Sequence, residues 1–406
     1  MKLPLLLVAC LFLAATVSAL VLPQASPVTN PDNATLQPVA NFEGGVRYQA
    51  GSYPVIVLNG SYREMGRQYG GLMKGELTGE YAMITSALQK RGYTIEQIRA
   101  MAHDVPVFQP ERQKEISRGI AETTGLTEDD VYVIYDGPIF YLSAPEVKGG
   151  PAQCSFLATW GSYTTDGSLV LSRNWDLPDV VAPFDQYYVL AIYRPSDGSN
   201  GVATLGPAGT RPETLMNSKG LFIADDNAGE SGGSLGADNR ADLISEFFRL
   251  MLDYSDTHGL DAGIQGIRPN CAWIVNAAGP DKATSYEVSF YETKQRTGDG
   301  VVAAANHFVD PSWHLAGVPP AHSLNRYNNL LRQAGAAKGS IDAQKMMQIR
   351  DVLLDDGGAT FRHSMLFGAP YSSDHQVVFV PKTETLWIKV VDKDWQLVEL
   401  APLFNN

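Results

Sequence analysis

The strongest constraint in this sequence is a change of periodicity near Pro145. Before it, apolar residues recur at helical spacing. Tyr62 to Lys90 reads as helix, Thr94 with Gln97 fits a capping box, and Pro110 and Gly125 bracket a further helix. After it come short β-rich runs: Cys154–Trp160, Ser168–Arg173, Tyr187–Tyr193, Gly220–Ala224, Cys271–Asn276, Tyr286–Tyr291, Val301–Asn306, Gln376–Pro381 and Thr385–Val391. Helical patterns interrupt them only at Arg240–Asp253, His322–Ala334 and Ser340–Asp355. Strands in runs and helices in clusters predict an α+β chain with large sheets rather than alternating βαβ units. With 44% hydrophobic and 18% charged residues, the chain has ample material for a core, which excludes disorder over most of its length.

The amino terminus predicts export. Lys2, the apolar stretch Leu3–Ala15 and the small residues through Ala19 have the order of a secretory signal over residues 1–19. An uncleaved anchor or a lipid on Cys10 would be the only membrane contact. Residues 20–45 are Pro- and Asn-rich without periodicity and read as a linker, followed by a helical region 46–153 and a strand-rich domain 154–406. The formal charge of −13 argues against nucleic acid as a partner.

Three cysteines rule out a disulfide scaffold. Cys271 opens an apolar run and reads as a small buried hydrophobe. Cys154 differs, because it stands where a Pro/Gly-rich connector meets a strand. Asp166-Gly167 signals a hairpin, so the next strand returns Arg173-Asn174-Trp175-Asp176 to the level of the cysteine. A cation there is expected to lower the thiol's pKa, and a carboxylate to hold an ammonium group.

These residues resemble the nucleophile region of amino-terminal-nucleophile (Ntn) hydrolases, in particular the choloylglycine hydrolase, acid ceramidase-like and penicillin acyltransferase-like groups. Met216-Asn217-Ser218-Lys219-Gly220-Leu221, Ala305-Asn306-His307-Phe308 and Asn325-Arg326-Tyr327 are similar to later segments of that family, in its order. The resemblance implies a four-layer αββα sandwich of antiparallel sheets. It also implies self-cleavage between Gln153 and Cys154, with the two pieces remaining associated. In this scheme the freed amine of Cys154 is the base for its own thiol, in the manner of terminal-residue nucleophiles. Arg173 would steer the thiolate, Asp176 would orient the α-ammonium, Asn217 and Asn306 would be oxyanion donors, and Arg326 would brace the site. No cofactor is implied. The residues alone leave Asn217 equally readable as a turn residue, and Arg173 with Asp176 as an ordinary ion pair.

The competing motif Gly229-Glu230-Ser231-Gly232-Gly233 matches the serine-hydrolase elbow in letters only, because Gly-Gly-Ser-Leu-Gly continues where a helix should begin. It reads as a flexible loop. The histidines and cysteines lack the spacing of a zinc site. The expectation is therefore an exported cysteine amidohydrolase acting on small-molecule N-acyl amides through a thioester. An acyltransferase and a non-catalytic binding protein are the alternatives.

Overall fold

The computed structural model describes residues 36–142, 150–232, 243–269, 271–315 and 318–405. The signal segment 1–19 and most of the linker lie outside these residues. Seventeen strands are present among them. They are β1 (Gln37–Phe42), β2 (Gly45–Ala50), β3 (Tyr53–Gly60), β4 (Gln153–Thr159), β5 (Val170–Pro178), β6 (Tyr188–Pro195), β7 (Val202–Pro207), β8 (Thr214–Asn217) and β9 (Phe222–Asn227). After these come β10 (Trp273–Ala278), β11 (Ala283–Val288), β12 (Thr293–Arg296), β13 (Val301–Ala304), β14 (Ser364–Leu366), β15 (Ala369–Val380), β16 (Thr385–Val390) and β17 (Gln396–Glu399).

One sheet has ten strands in the order β1-β2-β3-β6-β7-β8-β9-β10-β11-β12. The other runs β13-β4-β5-β15-β16-β17, with β14 paired to β15. The pairs are antiparallel except for β3 with β6, which are parallel. Alternation along the strands then assigns the layers. Phe156, Leu171, Val377 and Phe379 of the smaller sheet share one cluster with Val55, Leu190, Met216 and Phe222 of the larger. The reverse face of the larger sheet packs Ile56, Val189 and Ile223 against helical residues Met65, Ile116 and Phe247. The reverse face of the smaller sheet packs Leu157 and Val378 against Leu330 and Met346 of the helices Ala321–Ala336 and Ala343–Asp351. The result is the four-layer αββα sandwich, with one parallel pair where antiparallel pairing was expected throughout.

Two boundaries differ from the sequence reading. The linker assigned to 20–45 ends in structure, because Gln37–Phe42 pairs with β2. The region 46–153 is not a separate helical unit either, since β2 and β3 extend the sheet that β6 continues. The capping box at Thr94 and the helix end at Gly125, φ 85°, are as expected, whereas the stretch Tyr62–Lys90 forms two helices, Tyr62–Leu72 and Lys74–Gln89, the first opened by an unanticipated capping box at Ser61. Among the described residues, no helix is long and apolar enough to cross a membrane.

Candidate active site

The hairpin expected from Asp166-Gly167 forms. β4 and β5 pair with Gln153 opposite Asp176, Cys154 opposite Trp175 and Phe156 opposite Arg173. On a pleated pair, opposed residues share a face. Cys154, Trp175 and Arg173 therefore point between the sheets, while Gln153 and Asp176 point toward the helix Ala321–Ala336. The Gln153–Cys154 peptide lies between these two half-sites.

On the inner half, Arg173 is fully buried. Its Nη2 lies 3.5 Å from Cys154 Sγ, donates to the Asp225 carbonyl at 2.7 Å and stands 3.5 Å from Glu213 Oε2. Nη1 donates to Thr214 Oγ1 at 2.6 Å. Trp175 Nε1 donates to the same Glu213 oxygen at 2.6 Å. The expected lowering of the thiol's pKa does not prevail in this closed arrangement. Burial pushes the Cys154 thiol well above its ordinary value, Arg173 pulls the other way, and Asp226, Glu213 and Asp225 add to the rise. The thiol is thus protonated at neutral pH and needs a base to become a nucleophile.

On the outer half, Arg326 is also fully buried. Its Nη1 donates to the Cys154 carbonyl at 2.6 Å and approaches Asp176 Oδ2 at 3.4 Å. Its Nη2 donates to Asn306 Oδ1 at 2.6 Å and to Gln153 Oε1 at 3.3 Å. Burial raises the Asp176 carboxyl to about 7, with Arg326 and then the Ser373 hydroxyl opposing. The Asp176 carboxylate is held by Ser373 and Arg326 behind the strand, whereas the Cys154 nitrogen is held by Asn306 Oδ1 at 3.1 Å.

Asn306 therefore has a different part from the one expected. Two donors, Arg326 Nη2 and Cys154 N, converge on its Oδ1, which fixes the amide's orientation. Its Nδ2 donates to the Asn227 carbonyl at 2.9 Å. It orients the cysteine nitrogen and has no donor aimed at an oxyanion. Asn217 is not in the site. Met216 and Thr214 face between the sheets, so Asn217 faces the helices with Leu215. Its Nδ2 donates to the carbonyls of Met251 and Tyr254, and its Oδ1 accepts from Lys219 N and Leu221 N. The turn reading of Asn-Ser-Lys-Gly is the one that holds.

Four participants were missed. Asn227, at the end of β9, accepts from Asn306 and anchors its own Oδ1 on Gly229 N at 3.0 Å. Only its position ten residues past Asn217, in the same strand pair, could have suggested it. Glu213 and Thr214 precede Met216-Asn217 and carried no pattern. Arg350, in the helix Ala343–Asp351, binds the hydroxyls and carbonyls of Ser155 and Ser172, the neighbours of Cys154 and Arg173. A fully buried arginine on a helix has no signature in the sequence.

Elsewhere, Gly229–Gly232 is a four-residue helix rather than a loop. Ser231 Oγ accepts from Phe308 N at 3.1 Å. Cys271 is part-buried rather than buried, with its Sγ 3.8 Å from the Ala272 carbonyl oxygen. No group of three or more metal-ligating side chains occurs among the described residues.

Neither a protein-family model nor a curated protein matches this chain. Among solved structures it is similar to a conjugated bile acid hydrolase variant from Clostridium perfringens, at 12% identity over 62% of this chain and 95% of that one, with a TM-score of 0.45. It is also similar to penicillin V acylase from Agrobacterium tumefaciens, at 11% identity over 61% and 86%, with a TM-score of 0.41. A third is the Caenorhabditis elegans ortholog of N-acylethanolamine-hydrolyzing acid amidase, at 10% identity over 56% and 93%, with a TM-score of 0.39.

Proposed function

We propose that this protein is an exported, self-cleaving cysteine amidohydrolase that cuts linear amide C–N bonds of N-acyl compounds. The observation that carries the reading is the convergence on Cys154. Arg173 stands 3.5 Å from its sulfur, Asn306 holds its nitrogen and Arg326 holds its carbonyl. A structural cysteine needs none of these partners.

In self-cleavage, the thiol attacks the Gln153 carbonyl and forms a C–S bond. The Cys154 nitrogen takes a proton as the C–N bond breaks. Water then releases the Gln153 carboxylate from the thioester and restores the thiol. The freed α-amine, with a reference pKa of about 7.7–8.0, supplies the base that the buried thiol lacks. With a substrate amide the same steps follow: proton from sulfur to amine, acyl group to sulfur, proton from amine to the leaving nitrogen, then hydrolysis by water. Arg173 would favour the thiolate and Asn306 would orient the amine. Transfer of the acyl group to an amine instead of water uses the same intermediate.

Intact mass of the purified protein beside Cys154→Ala tests the reading. The expected outcome is a piece beginning at Cys154 in the wild type, an uncut variant, and hydrolysis of N-acyl amides only by the wild type. If Cys154→Ala still hydrolyses the amides and Ser231→Ala does not, the serine reading replaces this one. A chain that stays uncut and inactive across a pH series would indicate a binding protein.

A further inference from the structure

We propose that His375 is a positioning residue: acting through Thr214, its imidazole aims the Arg173 guanidinium at the Cys154 sulfur. The inference rests on the catalytic reading of Cys154. A continuous hydrogen-bonded chain carries it. Tyr188 Oη lies 3.0 Å from His375 Nδ1, His375 Nε2 lies 3.0 Å from Thr214 Oγ1, and Thr214 Oγ1 accepts from Arg173 Nη1 at 2.6 Å. The other guanidinium nitrogen faces the thiol. Every member is buried between the sheets, with His375 and Arg173 each at 1% exposure or less.

The donor inventory gives the chain a direction. An arginine only donates, so Thr214 Oγ1 is an acceptor toward Nη1. The hydroxyl has one proton of its own. Giving it to His375 Nε2 satisfies both groups and places the ring proton on Nδ1, which then donates to Tyr188 Oη. The reverse tautomer would pair the Tyr188 phenol proton with Nδ1 but leave Thr214 receiving two donors with its own proton unplaced. The Nδ1–H direction leaves only the phenol proton, at the end of the chain away from Arg173, and is the one proposed. The ring has to be uncharged for this, and burial together with Arg173 holds its pKa well below the ordinary histidine value. Trp175, 5.2 Å away and tilted 33°, packs against the imidazole, and Tyr188 meets it edge-on at 5.5 Å.

A β-bulge makes the arrangement possible. β15 pairs Ser373 with Asp176 and His375 with Trp175, so Asp374 is an extra residue. In a regular strand Ser373 and His375, two positions apart, would share a face. With the bulge, Ser373 reaches Asp176 behind the sheet and His375 reaches Thr214 between the sheets. One strand therefore holds both halves of the site.

Spectra of protein labelled with 15N-histidine read the tautomer directly, whatever the substrate. The expected state for His375 is neutral with the proton on Nδ1. An Nε2–H tautomer overturns the proposal. Kinetics on an N-acyl amide give the second test. His375→Gln keeps a carbonyl acceptor for Thr214 and should hold kcat/KM within about threefold, whereas His375→Phe should lose at least about tenfold, mainly in kcat. A purely structural histidine predicts equal losses from both variants at matched Tm, and that result would also overturn it. If Cys154→Ala keeps the activity, the parent reading fails while the tautomer still decides this one.

Discussion

At the scale of single residues, the site contains a carboxyl with a testable pH signature. Asp176 is fully buried, and burial lifts it to about 7 against the pull of Arg326 at 3.4 Å. A folded-state pKa above the unfolded one means that the native state binds the proton more tightly. The stabilisation is complete below about pH 4 and is lost as pH rises toward about 7. Asp176→Asn stays neutral throughout. Between pH 5 and pH 7 the wild type should lose about 2 kcal/mol more stability than the variant, from this group alone. Urea unfolding at the two pH values checks it, and equal losses would reject the assignment. The sequence exposed Cys154, Arg173, Asp176 and Arg326 because they stand at motif positions beside a connector, a hairpin and a helix. It misjudged Asn217 because a one-residue difference in strand parity decides which face a side chain takes, and only the packing of Leu215 and Met216 fixes that parity.

At the scale of elements, the most informative piece is the turn between β8 and β9. Gly220 has φ +71°, and a Cβ there would lie 2.5 Å from the Pro381 carbonyl oxygen. Gly220→Ala combines a left-handed backbone with a clash against main chain, so it should cost about 1–3 kcal/mol. A lowered urea midpoint with unchanged activity per folded molecule is the expected result. A parallel loss of specific activity would mean that the turn also sets the position of Thr214. The turn was legible from Asn-Ser-Lys-Gly. The strand β15 was legible only in its second half, Gln376–Val380, because Tyr-Ser-Ser-Asp-His reads as polar loop. Ser373 and His375 are buried because they serve Asp176 and, through Thr214, Arg173, a tertiary reason that no local pattern carries. The short strands β7, β12, β14 and β17 were missed for a related cause, since each is held by its neighbours' ladders rather than by its own periodicity.

At the scale of the whole molecule, the proposed cut divides the chain in sequence but not in the sheet. β1, β2 and β3 precede Cys154 and form one end of the ten-stranded sheet, where β3 pairs with β6 over six register positions. Tyr53, before the cut, donates through its hydroxyl to the Ile388 carbonyl in the other sheet. The helices Tyr62–Leu72 and Glu111–Thr124 cover the same sheet's outer face, sharing a cluster with Phe247 and Ile223 from beyond the cut. Separating the pieces would expose this surface and leave β6 with an open edge, costs far larger than the entropy gained by release. A cleaved sample should therefore elute as one native species containing both pieces and resolve into two only in denaturant. Two native peaks would mean that the amino-terminal strands leave after cleavage. The molecule would then be a precursor that sheds part of its sheet, and β1, β2 and β3 would serve its folding alone.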